Sequence, residues 1–138
     1  MGYVSKSLGI GQQIVVMLDS TANREEVAAR LTLDGIRLRV IEVKARSVKV
    51  GVRGPSGLTP ARGPDVEATE GGLSLTRTIE QEIVITLREG GSAGAALDWL
   101  ASEGVSFRLL VIEGRKSVFR VKACDDLLIL RDELVSPV

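Results

Sequence analysis

Two sets of side chains in this chain have the chemistry to act on another molecule: closely spaced carboxylates, and arginines that close apolar runs. The carboxylates are Glu80 with Glu82, Asp125 with Asp126, and Asp132 with Glu133. At such spacings one acid can donate a proton while its neighbour accepts one. No apolar pocket is recognisable around them to tune their proton affinity, so they read as solvated charges on strand ends and turns. Histidine is absent and Cys124 is the only cysteine. Tetrahedral zinc sites built on His and Cys, Ser-His-Asp triads and Cys-His dyads are therefore excluded. No GxxxxGK[ST] or GxGxxG pattern occurs, and Gly9-Ile10-Gly11 and Gly90-Gly91 suit turns better than phosphate cradles. The expectation is a binding protein with no cofactor and no metal, not an enzyme.

The arginines offer the better chemistry. Arg77 ends the run Leu73-Ser74-Leu75-Thr76-Arg77, while Arg62 and Arg131 end the last apolar run of each half of the chain. A planar guanidinium can bond a guanine edge with two parallel hydrogen bonds or lie flat on a base, which an ammonium cannot. The same arginines also suit a second role, as charges that keep an edge strand soluble.

Elements must position these groups, and they repeat. Placed 69 positions apart, Ser5 meets Ser74, Ile10 meets Ile79, Gln12 meets Gln81 and Ile14-Val15 meets Ile83-Val84. The register continues without a gap through Leu31 with Leu100, Gly35 with Gly104, Arg39 with Arg108, Val52 with Val121 and Arg62 with Arg131. Chance similarity rarely holds one register so long, so the chain reads as repeat 1 (1–65), a polar glycine-ended linker (66–72) and repeat 2 (73–138). Each repeat predicts two short strands and then an amphipathic helix. Cap candidates Ser20 to Asn23, or Ser92, precede that helix, and Gly35 or Gly104 ends it. Two long alternating strands and a brief edge strand follow. This is a mainly β, α+β fold of β-β-α-β-β-β units. A unit of this size is marginal alone, so the two are expected to share one core as a covalent, intertwined pseudo-dimer.

With these elements in view, the motifs resemble a known family. The opening Leu73-Ser74-Leu75-Thr76-Arg77 and the closing Leu128-Ile129-Leu130-Arg131-Asp132-Glu133-Leu134 resemble the LxLTR opening and V-x-V-H-R-E-E-I closing of the CsrA/RsmA carbon storage regulators. The stretch from Ile36 through Pro55 is similar to that family's paired strands and Ala-Pro turn, and the helix resembles an inserted-helix variant. The resemblance implies RNA binding and translational control through GGA-type single-stranded loops in messenger RNA leaders or small RNAs. It also implies contacts from the first and last strands: Leu75, Thr76 and Arg77 with Arg131 in repeat 2, and Arg62 alone in repeat 1. Arg77 would join Arg62 if the border strands pair between repeats, and Arg131 if they pair within one. Repeat 1 departs from the pattern with Leu8 at the place of Arg77, and repeat 2 departs with Glu80 at the place of Gly11.

Bulk properties leave two competitors open. The chain has 138 residues and a net charge of zero, with 18 basic and 18 acidic side chains. Residues 1–65 hold ten Lys or Arg against six Asp or Glu, and residues 66–138 hold eight against twelve. An RNA binder usually carries a basic excess, so a protein-binding module that kept this fold and pairs with another regulatory protein is one alternative. A β-ribbon DNA binder is the other. No apolar run is long enough to span a bilayer, no signal peptide opens the chain, and a lone cysteine agrees with a reducing compartment, so a cytoplasmic location is expected.

Overall fold

A computed structural model folds the chain into ten strands and two helices: β1 (Val4–Gly9), β2 (Gln13–Leu18), α1 (Arg24–Leu33), β3 (Ile36–Val43), β4 (Ser47–Arg53), β5 (Leu58–Arg62), β6 (Leu73–Arg77), β7 (Glu82–Leu87), α2 (Ala93–Ser102), β8 (Val105–Glu113), β9 (Lys116–Lys122) and β10 (Leu127–Arg131). The structure describes residues 4–62 and 73–131. The linker 66–72 and the closing Asp132-Glu133-Leu134 lie outside the described residues. Every element of the first half recurs 69 positions later to within a residue, as with β2 and β7 or α1 and α2.

The helices start where their caps are. The Asn23 side chain accepts from the Glu26 amide at 3.2 Å and the Ser92 hydroxyl from the Ala95 amide at 3.1 Å, each satisfying a donor that the first helical turn leaves open. The chain leaves each helix through a glycine, Gly35 with φ 71° and Gly104 with φ 80°. Both glycines are also tight against a strand. A Cβ on Gly35 would stand 2.3 Å from the Ile85 carbonyl oxygen, and one on Gly104 would stand 2.7 Å from Met17 Cγ. Val27 and Leu31 of α1 and Ala96, Leu97 and Leu100 of α2 are buried, and Trp99 packs partly against the same core.

The strands form two antiparallel five-stranded sheets, ordered β1-β4-β3-β7-β10 and β5-β2-β8-β9-β6. Each sheet takes three strands from one half of the chain and two from the other. The crossing points are β3 with β7, where Ile36 faces Ile85 and Leu38 faces Ile83, and β2 with β8, where Ile14 faces Phe107 and Val16 faces Val105. Alternation decides which face is buried. Ile36, Leu38 and Val40 of β3 and Val105, Phe107 and Leu109 of β8 point inward, and the inward side chains of both sheets join one hydrophobic core. Phe107 and Phe119 are its largest fully buried members, and burying one such ring stabilises by about 3 kcal/mol.

The turns that lead from one sheet to the other are built alike. In the first half the Gly9 amide donates to Gln12 Oε1 at 2.8 Å, and Gly11 N and Leu109 O are 2.7 Å apart. In the second half the Thr78 amide donates to Gln81 Oε1 at 2.8 Å, and Glu80 N and Val40 O are 2.8 Å apart. Each turn is thus tied to the β-bulge of the opposite half, at Val40/Glu42 or Leu109/Val111. Among the described residues no helix is long and apolar enough to cross a membrane.

Candidate nucleic-acid interface

Four strands border the two sheets: β1 and β10 in the first, β5 and β6 in the second. The sequence-derived site residues all lie on these borders. Leu75, Thr76 and Arg77 are on β6, Arg62 is the last residue of β5, and Arg131 is the last of β10. Arg62 pairs with Ile14 and Arg131 with Ile83 in the backbone ladders; the side chains of both arginines lie outside the described residues. Among the described strands β6 is hydrogen-bonded to β9, at the opposite border of its sheet from β5 and in a different sheet from β10. Backbone pairing therefore brings Arg77 beside neither Arg62 nor Arg131.

Along β6 the exposure alternates. Ser74 and Thr76 are exposed, Leu75 is half-buried opposite Phe119, and Arg77 is only 4% exposed. Arg77 stands on the inward side of the strand, opposite the buried Ser117, whose hydroxyl donates to the Arg77 carbonyl at 3.1 Å. Its Nε donates to the Thr76 carbonyl at 2.6 Å and its Nη1 to the Glu82 carbonyl at 3.3 Å. The guanidinium thus links β6, in one sheet, to the start of β7, in the other. In this conformation it serves the fold, and the solvent-facing groups of the strand are Ser74, Thr76 and the outer backbone edge.

The outer face of the first sheet carries arginines that are answered by acids. Arg37 Nη1 lies 3.7 Å and Arg39 Nη2 3.5 Å from Glu82 Oε1, and Arg39 Nη1 lies 4.0 Å from Glu80 Oε2. Glu82 is buried, so this contact is screened less than a surface pair. Glu80 carries a second feature. Its φ of 75° is the single positive value among described non-glycine residues, at the place where the first half has Gly11 at φ 88°.

Charge is segregated by element in a way that the count by halves conceals. Twelve of the 18 Lys and Arg residues lie in strands, against three of the 18 Asp and Glu, namely Glu42, Glu82 and Glu113. The remaining acids sit in helices, turns and the stretches outside the described residues. A neutral chain therefore has cationic sheets. The signal was present in the sequence once the strands were assigned, but dividing the chain at residue 65 mixed strands with their connections.

Among the described residues no group of three or more His, Cys, Asp or Glu is placed to hold a metal ion. No family model, no curated protein and no solved structure matches this chain. The resemblance to the carbon storage regulators rests on the motifs quoted above alone.

Proposed function

We propose that this chain is an RNA-binding post-transcriptional regulator of the CsrA/RsmA type, made of two such repeats intertwined as one covalent pseudo-dimer, which recognises GGA-type single-stranded loops in messenger RNA leaders or small RNAs. The observation that carries the reading is the concentration of cations on the strands, twelve against three acids, in a chain of zero net charge. Phosphate neutralisation by Lys and Arg supplies most of the affinity of a nucleic-acid binder, and a sheet is a natural platform for unstacked bases. The open edge of β6, with Thr76 exposed and Leu75 half-buried, offers backbone donors and acceptors to such bases. Arg62 and Arg131, at the ends of border strands, supply the guanidinium groups of the reading. Arg77 holds β6 in place.

A gel-shift comparison of a GGA stem-loop, a scrambled loop and duplex DNA at two salt concentrations tests the reading. Preference for the GGA loop, weakening with salt, supports it; preference for the duplex, or no shift with any of the three, overturns it. The protein-binding alternative is favoured by one observation: Ile10 and Ile79, equivalent residues at the tips of the two sheet-crossing turns, are 56% and 45% exposed. Absence of any RNA shift, together with a folded chain, is the outcome that alternative requires.

A further inference from the structure

The outer faces of the two sheets are equivalent in backbone and unequal in charge balance. On the first sheet one cross-strand row reads Ser5, Gly51, Arg39, Glu82, from β1 through β4 and β3 to β7. The equivalent row on the second sheet reads Ser74, Arg120, Arg108, Gln13, from β6 through β9 and β8 to β2. Two exchanges separate these rows. The neutral Gly51 becomes Arg120, and the carboxylate of Glu82 becomes the amide of Gln13.

Arg108 and Arg120 therefore stand directly opposite each other on paired strands, a like-charge pairing that a sheet ordinarily avoids. Lys122, exposed at the end of β9 opposite Ser106, extends the cationic strip on the same side. No strand of this sheet contributes an Asp or Glu other than Glu113, at the far end of β8. Arg120 makes no ion pair among the described residues, and its Nε is buried without a hydrogen-bond partner. A guanidinium with no carboxylate beside it keeps its charge unneutralised, which favours a bound anion. Ser74, Ser106 and Gln13 border the pair with hydroxyl and amide donors, the groups that accompany Arg and Lys in contacts to phosphate.

We infer that the outer face of β8 and β9, centred on Arg108 and Arg120, is a phosphate-binding surface on which the backbone of single-stranded RNA lies. The inference rests on the proposed RNA binding for its occupant but uses none of the residues to which sequence readout was assigned. Phosphate contacts set register and affinity while base contacts set specificity, so the two can be tested apart.

The test uses the full chain with Arg108→Gln and Arg120→Gln, singly and together, and with Arg120→Lys. Binding to a GGA stem-loop and to an oligouridylate of equal length is titrated at several salt concentrations, with polyglutamate as competitor and thermal melting to establish folding. The expected result is an affinity loss of about tenfold for both RNAs in the double variant. The slope of log K against log salt should fall by about 1 for each charge removed, and Arg120→Lys should keep its slope. If the chain shows no GGA preference but loses oligouridylate binding in the double variant, the inference stands and the proposed sequence recognition falls. A folded double variant with unchanged affinity and salt slope overturns the inference, as does polyglutamate competing as well as RNA of equal charge.

Discussion

Leu8 and Arg77 occupy equivalent positions at the inward end of a border strand, one with no exposed surface and the other with 4%. In the first half the position is filled by an aliphatic core side chain. In the second it is filled by a guanidinium that bonds the carbonyls of Thr76 and Glu82. The contrast shows that the site is an interior one, which admits an arginine when its donors are met.

A substitution pair follows from that relationship. Arg77→Ala leaves two carbonyls without their donor and opens a void, and is expected to lower unfolding free energy by about 2 kcal/mol. Arg77→Leu removes the same donors but copies the other half and fills the void, so it should lose about 1 kcal/mol, less than the alanine variant. Urea unfolding of both variants checks this; an alanine variant with an unchanged midpoint would place the guanidinium outside the fold's stabilising contacts.

Glu80 is held at a backbone angle that suits glycine. Relieving left-handed strain gains about 1–2 kcal/mol, and glycine returns up to about 1 kcal/mol of it as unfolded-chain entropy. Glu80→Gly should therefore stabilise by about 0.5–1 kcal/mol and raise the melting temperature. It also removes a carboxylate 4.0 Å from Arg39, so RNA affinity should rise with it. A lowered melting temperature would contradict the strain argument.

Gly35 and Gly104 combine positive φ with strand atoms 2.3 Å and 2.7 Å from a built Cβ. Alanine at either position meets strain and overlap together, and about 3 kcal/mol or more should be lost. Gly114, also at positive φ but with nothing within 4 Å, separates the two causes. Its alanine variant should lose only the strain, about 1 kcal/mol, and equal losses at all three positions in chemical denaturation would show that the close approach is immaterial.

Glu82 lies between Arg37 and Arg39 at 3.7 Å and 3.5 Å and is itself buried. Glu82→Gln recreates the residue of the first half, Gln13, without removing the arginines it answers. The expected cost is about 1–3 kcal/mol in stability, accompanied by tighter RNA binding as the first sheet gains net positive charge. Calorimetric melting and an RNA titration read the two effects separately, and a variant that neither melts earlier nor binds RNA more tightly would contradict the pairing.

Local structure was legible in the sequence because local rules govern it. The cap residues Asn23 and Ser92, the closing glycines Gly35 and Gly104, and the period of two in β3 and β8 all act within a few residues. Three features were harder to read, for different reasons. The exchange of strands between halves depends on which apolar edge β7 or β2 meets, a contact set by partners far away in the chain. The inward direction of Arg77 could have been found by parity, since Leu8, an obvious core residue, shares its register; weighing arginine as a surface residue hid it. The facing like charges of Arg108 and Arg120 needed the register of β8 against β9, which only the ladder supplies.

The central claim is that this neutral chain binds unpaired, GGA-bearing RNA through its cationic sheets. A direct titration of the full chain with a GGA stem-loop and with the same stem carrying a scrambled loop, at physiological salt, tests it. The account predicts that the GGA loop is preferred by about tenfold or more, with affinity falling as salt rises. Equal affinity for the two loops, or none for either, would contradict it.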